Sequence, residues 1–599
     1  MSEIQQLPKR SEVPEKLTWD LTTIYKTDDD FEADFKECAK EVEAVEKLKT
    51  DHFDAKTLLS DLKAIEKLER KVEKLYVYSS LKSDADTSNS EYQSMNARCA
   101  DLASKASSAL AWFEPAVLSI SEDDLKKMLY KESELADYTH YFDELFSQKD
   151  HILDAEHEKI LSSLGNIFDT PSNVYGVMTN SDLKFPVVSD EDGNKVELSN
   201  GVYSKLLEST DRSVRKEAFQ QLYTVYNQFK NTLASTLSGE VKVHNFRASM
   251  RHFSSAKEAA LSNNHIDKKV YQQLIDTVNK YLPLLHRYVN LRKKLLSLDE
   301  MHMYDLYTPL FGNSPISYNF DEAKEESIKA LSILGDDYID HIKEEFNNRW
   351  IDVVENKGKR SGAYSSGVYD TNPYILLNWQ DNLDNLFTLV HESGHSMHSY
   401  YTTHNQPFQY GDYSIFLAEI ASTTNENILT DYLLKNTDDV EVKKYVLNHF
   451  LDGFKGTIFR QTQFAEFEDF AHQQEQAGNP LTAKMLSAFY YELNQRYYGD
   501  GVVSDPEIAY EWARIPHFYM NYYVYQYATG FAAAIDLSDG ICAHDQEAID
   551  KYIGYLKSGS SDYPLNVMKK AGIDMTNADY LENAFKVFEE RLNELESLI

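Results

Sequence analysis

Cysteine is nearly absent: three residues, Cys38, Cys99 and Cys542, lie far apart in a chain of 599. That spacing excludes a disulfide framework and a Cys-based metal site, and it suits a reducing compartment. Positive charge is also scarce, with 61 Lys and Arg against 97 Asp and Glu and a net charge of −36. Binding nucleic acid needs clustered Lys and Arg, so a nucleic-acid partner is excluded. Attraction to an anionic membrane surface is excluded on the same ground. No run of ~18 apolar residues occurs, so no membrane span is expected. Met1–Pro8 carries no apolar stretch of signal-peptide type, and the expected compartment is the cytoplasm. Pro (14) and Gly (22) are few, so helices should run long. There is no internal repeat of fixed period.

What is present is a chain apolar enough to fold around a large core, with 42% hydrophobic and 13% aromatic residues. Residues 15 to about 160 read as helix after helix. Asp28, Asp29 and Asp30 are N-cap candidates before Phe31. Leu59, Leu62, Ile65 and Leu68 form the drifting stripe of a buried helical face. The heptads between Ala39 and Val77 are not sustained, which favours packed helices over a coiled coil. Between residues 182 and 199, two apolar runs flank Asp192-Gly193-Asn194, a hairpin signal. This places a boundary near residue 200, with an N-terminal helical lobe (1–200) ending in the hairpin and a second domain (201–599). Tyr374–Asn378 reads as a short buried strand, and helix resumes at about Asp381.

The informative segment is His391-Glu392-Ser393-Gly394-His395. On a helix, positions i and i+4 share a face, so His391 and His395 can hold one metal ion. Glu392 is rotated from them by about 100° and can stand beside the metal as a general base. Leu383 and Phe387 lead into the same face, where an unpaired imidazole would be costly. Chance supplies this motif only about 0.05 times in a chain of this composition.

A catalytic zinc site has three protein ligands and an open position. The metzincin continuation is missing, because His398 stands where Gly is needed and Tyr401 where His is needed. A following helix from Ser414, the candidate N-cap, to Leu434 is apolar on most sides. Glu419, Ser422 and Glu426 fall on one stripe within it. Two carboxylates on a buried stripe need a cation or donors. Glu419 satisfies that need as the third ligand. Glu426 either accepts from the far N–H of a ligand histidine or forms a structural ion pair. His398 reads as a packing residue.

The His391–His395 motif, followed by Phe416-Leu417-Ala418-Glu419-Ile420-Ala421-Ser422, resembles the thimet-oligopeptidase superfamily of zinc peptidases, and most closely its oligoendopeptidase F branch. Three further stretches support this: Glu12–Leu21, Phe459–Glu468 and Tyr523–Gly530. The resemblance spans essentially the whole chain. It implies a mostly α, two-lobed fold with a deep substrate channel and a few short strands beside the active-site helix. It also implies one Zn²⁺ per chain and cleavage of short peptides rather than folded proteins. His517 matches a family histidine aimed at the substrate carbonyl, and Tyr522 and Tyr525 match a tyrosine pair with the same task. Tyr519 is an alternative holder of one of those roles and a candidate substrate contact. Tyr374, Ile375 and Leu376 resemble the segment that lies along the substrate backbone, where a short edge strand takes a peptide by β-addition.

Two rival readings compete with a zinc endopeptidase. A helical zinc carboxypeptidase would need a basic group for the substrate C-terminus, for which Arg496 and Arg514 are available. An aminopeptidase is disfavoured because no Gly-x-Met-Glu-Asn strand occurs. A non-catalytic peptide-binding protein with a structural metal would usually close its site with a fourth protein ligand.

Overall fold

Scarce helix breakers leave helix as the default, and the computed structural model, which describes residues 7–50, 52–312 and 314–599, is predominantly helical. The elements used below are, in chain order, α1 (Ala55–Ala85), β1 (Val187–Ser189), β2 (Lys195–Glu197), α2 (Arg212–Met250), α3 (Asp336–Asn347), β3 (Ile351–Asp352), β4 (Tyr364–Ser366), β5 (Tyr374–Leu376), α4 (Leu383–Asn405), α5 (Ile415–Asn436), α6 (Arg460–Gln476), α7 (Tyr525–Cys542) and α8 (Gln546–Leu556).

The expected stripe Leu59, Leu62, Ile65 and Leu68 is the buried face of α1. The preceding helix Asp28–Val45 is capped by Thr27, whose side chain accepts from Asp30 N. The three aspartates therefore occupy the first turn, where they complement the helix dipole, rather than the cap position.

The chain divides into two compact units, each assembled from three segments. Unit 1 contains 1–149, 316–432 and 537–572, and unit 2 contains 150–315, 433–536 and 573–599. The boundary expected near residue 200 falls inside unit 2. The hairpin itself forms, with β1 antiparallel to β2 and Gly193 in the left-handed region at φ 79°. Val188 is fully buried, and Ser189 N donates to Glu217 Oε2 of α2 at 3.4 Å, so the hairpin packs on a helix that follows it. A composition change marks a turn, but it cannot report which distant segments pack together.

In unit 1 the three-stranded sheet has the order β3-β5-β4, with β3 parallel and β4 antiparallel to β5. β5 is thus the central strand, and Tyr374, Ile375 and Leu376 are each 0% exposed. The expectation that these residues present an edge to a peptide is corrected, since both of their edges are already paired. β4 is the outer strand on one side. On the other side the N-terminal segment covers β3: Val353 N donates to Leu17 O at 3.0 Å and Asp20 N to Arg349 O at 2.8 Å. Trp19 packs edge-on against Tyr374, with 6.3 Å between ring centroids.

Candidate metal centre and active site

The site helix, α4, starts where Asn382 accepts a cap bond from Asn385 N at 2.8 Å. It ends at Gln406, in extended backbone before Pro407. Leu383, Leu386, Phe387, Leu389 and Val390 bury one side of it. α5 is apolar nearly all round, with Phe416, Leu417, Ile420, Ala421, Ile428 and Leu429 at 2% exposure or less, as a helix sunk in a core requires. Ser414 opens α5 through its carbonyl, which accepts from Leu417 N at 2.9 Å. Its hydroxyl has no hydrogen-bond partner, so the expected side-chain cap is not made.

Gly394 brings the two helices together. A Cβ there would lie 2.6 Å from Ser422 Cα and 2.9 Å from Ala421 O. Asn425 Nδ2 donates to Val390 O at 3.2 Å, and Tyr338 OH of α3 donates to Asn425 Oδ1 at 3.2 Å. On the far side of α5, Tyr555 OH of α8 donates to Leu417 O at 2.8 Å and Tyr552 OH to Ala421 O at 3.3 Å. Ser393 Oγ donates to Glu345 Oε1 at 2.6 Å from the buried face of α4. Burial pushes the Glu345 carboxyl up to about 7.

This packing places His391, His395 and Glu419 so that one ligand atom of each lies within 4.8 Å of the others. His391 Nε2 is 3.6 Å and His395 Nε2 is 3.5 Å from Glu419 Oε2. His391 Nδ1 is 2.5 Å from Glu426 Oε1. Glu426 therefore meets His391 itself, a contact that serves either reading, hydrogen-bond acceptor or ion pair. The bond holds a proton on His391 Nδ1 and leaves Nε2 facing Glu419. Glu392 lies on the same helix at 7% exposure. Burial raises its proton affinity above the ordinary carboxylate range, while the flanking histidines oppose this.

The donor set fits a cation. Three carboxylates, Glu392, Glu419 and Glu426, face two imidazoles, and among the described residues no Lys or Arg pairs with any of the three. The excess shows in His391: burial pulls its pKa down, yet the three carboxylates outweigh that and hold it at about 9. Two imidazole nitrogens and a carboxylate are the ligand chemistry of a borderline-soft metal. His398 is buried, and its ring stacks on Tyr413 at 3.6 Å, consistent with packing.

His517, Tyr519, Tyr522 and Tyr525 belong to unit 2. α7 begins only at Tyr525, and Asn521 and Tyr522 are left-handed, with φ 46° and 59°. Tyr522 and Tyr525 therefore do not share one face of a helix. Tyr522 is 3% exposed; its hydroxyl donates to Asp469 Oδ1 of α6 at 3.0 Å, and its amide donates to Glu468 Oε1 at 2.6 Å. Those two bonds anchor a turn that non-glycine residues rarely adopt. Tyr525 is buried against Tyr271, with centroids 5.2 Å apart. Tyr519 stacks on Tyr175 at 4.3 Å, with its hydroxyl 2.8 Å from Thr236 Oγ1. The rings grouped with half-exposed His517 are Tyr523 and Tyr527, at 6.3 and 6.1 Å, themselves 5.4 Å apart. Neither was among the residues singled out from the sequence for a role beside His517. The Tyr-rich composition carries no sign of the left-handed turn that rotates one set inward and the other outward.

The fold and the His-His-Glu group define a helical metallopeptidase, and comparison with known proteins agrees. Residues 205–587 match peptidase family M3, and residues 117–185 match the family described as oligopeptidase F. Oligopeptidase PepF of Bacillus subtilis is 49% identical over 99% of this chain and 89% of its own length. Group B oligopeptidase PepB of Streptococcus agalactiae is 50% identical over 98% of each chain. Oligoendopeptidase-F from Enterococcus faecium, a crystal structure, matches with a TM-score of 0.76 and 48% identity over 95% of this chain and 99% of that one. A solved chain from Chlamydophila abortus matches with a TM-score of 0.92 and 38% identity over 99% of this chain and 100% of that one. The chain belongs to peptidase family M3, as a metalloendopeptidase of the oligoendopeptidase F type. No helix among the described residues is long and apolar enough to cross a membrane.

Proposed function

We propose that the protein is a cytoplasmic zinc endopeptidase that hydrolyses internal bonds of short peptides. The observation that carries this reading is the convergence of His391, His395 and Glu419 beside Glu392. One Zn²⁺ would be held by Nε2 of both histidines and the Glu419 carboxylate. Zinc there supplies Lewis acidity that makes water nucleophilic near neutral pH and polarises the scissile carbonyl. Glu426 keeps His391 in the ligating tautomer through Nδ1. Glu392 takes the proton of the attacking water and returns it to the leaving amine; its raised proton affinity suits that exchange.

The family resemblance gives a histidine and tyrosine hydroxyls to the substrate carbonyl oxygen. His517 keeps that role, and Tyr523 and Tyr527 take it in place of the buried Tyr522 and Tyr525. Main-chain pairing with the peptide passes from Tyr374–Leu376 to the outer strand β4. The test is a ladder of peptides of roughly 6–20 residues, with products sequenced by mass spectrometry, before and after treatment with phenanthroline. Internal cleavage that is lost on chelation and restored by zinc is expected, with casein left intact. Undiminished cleavage by metal-free protein would refute the site. Rapid casein degradation would refute the size limit alone.

A further inference from the structure

Unit 2 buries a positive charge that its own side chains leave without hydrogen bonds. Arg460 opens α6, and Arg514 ends the 3-10 helix Pro506–Arg514. Both approach one carboxylate, Glu511, which is 3% exposed. An ionised carboxylate offers about four lone-pair sites, and all are taken. Oε1 accepts from Arg460 Nη2 at 2.7 Å and Tyr223 OH at 3.3 Å. Oε2 accepts from Tyr490 OH at 2.6 Å and Arg460 Nη1 at 3.3 Å.

Arg514 is left with an ion contact to Glu511 at 3.5 Å and a position over the Tyr203 ring at 5.0 Å. Its Nε is buried without a hydrogen-bond partner. Two guanidiniums against one carboxylate leave the cluster with a surplus positive charge. An unmet buried charge of this kind is expensive. The cluster is open on one side: Arg514 and Arg460 keep 17% and 15% of their side-chain surface, and Tyr307, beneath Arg460, is 37% exposed. The other arginine singled out by the sequence, Arg496, is already committed, to Glu466 Oε2 and to Asn279 Oδ1.

We infer that Arg514, backed by Arg460, receives a carboxylate of the peptide substrate, from either its C-terminus or an Asp or Glu side chain. The planar guanidinium fork matches a carboxylate in a paired geometry that no other group in the cluster supplies to Arg514. Anion selectivity then resides on the stretch Arg514-Ile515-Pro516-His517. This inference rests on the peptidase reading, and it concerns affinity rather than chemistry.

The test is binding of three peptides of one sequence to Glu392→Gln protein, in which the chemistry is switched off, by titration calorimetry. One peptide has a free C-terminus, one a C-terminal amide and no acidic residue, and one an amide with a single internal Glu. At least one of the two carboxylate-bearing peptides should bind at least tenfold more tightly than the acid-free amide. Arg514→Met in the same background should collapse that ratio to within twofold, and Arg514→Lys should retain part of it. If only the Glu-containing amide gains affinity over the plain amide, the carboxylate is a side chain; if only the free acid gains, it is the C-terminus; if both gain, Arg514 takes either. Equal affinities in protein that retains Arg514, or a ratio that survives Arg514→Met, would overturn the inference. Cleavage by the parent protein, assayed separately, decides the peptidase reading.

Discussion

Replacing Gly394 by Ala adds one methyl group at the point where α4 meets α5. That carbon would sit 2.6 Å from Ser422 Cα, whereas ordinary contact begins at 3.4 Å. Both neighbours are backbone, so no rotamer change can relieve the clash. Relief requires the helices to separate by about 0.8 Å in an interior packed as densely as a crystal. Overpacking of this kind typically costs ~1–3 kcal/mol. The more telling consequence is in the metal site, because α4 carries His391 and His395 while α5 carries Glu419. Ligand distances in metal sites hold to about ±0.2 Å, several times less than the required shift. Gly394→Ala should therefore weaken zinc binding at least tenfold although no ligand is altered. The assay is competition with a chromophoric chelator, accompanied by kcat/KM on a quenched peptide. Gly554→Ala on α8, where a methyl meets nothing within 4 Å, is the control and should be neutral or slightly stabilising. Zinc affinity and turnover of Gly394→Ala within twofold of the parent would refute the idea that this contact sets the ligand spacing.

Glu392→Gln should keep its metal and its fold while turnover falls by ~10² or more, since positioned acid–base groups are typically worth 10²–10⁴; loss of the metal in that variant would mean that Glu392 is a ligand. Tyr523→Phe or Tyr527→Phe should lower kcat by ~10² with little change in KM, the pattern of an interaction made mainly in the transition state. Tyr522→Phe should instead destabilise unit 2 by about 1–3 kcal/mol, because Asp469 Oδ1 loses its donor. That loss is read by denaturant unfolding, and the opposite allocation of effects would return Tyr522 to the active site.

Much of the His-His-Glu group that could hold a metal was legible because it is local. Helical geometry puts residues four apart on one face, so His391 and His395 needed no tertiary information. Glu419 and Glu426 were legible for a related reason: acids on an otherwise apolar helix must meet a partner. Helical architecture followed from scarce Pro and Gly, and the β1–β2 hairpin from its turn residues. The sheet was legible as strands but not as an order. A short apolar run such as Tyr374–Leu376 looks the same at an edge and in the centre, and only pairing with β3 and β4 distinguishes them.

The sequence by itself thus determined which residue types meet and at what helical spacing, and hence a candidate metal site with a base beside it; the peptide substrate came from the family resemblance. The tertiary structure decided everything that depends on contacts between distant segments. It assembled two units from three segments each, because burial is settled by packing and not by chain order. It turned Tyr522 inward and grouped Tyr523 and Tyr527 with His517, because two left-handed residues break the helical phase before α7. It also left Arg514 without an acceptor, because Tyr223, Tyr490 and Arg460, from three remote helices, had already filled Glu511.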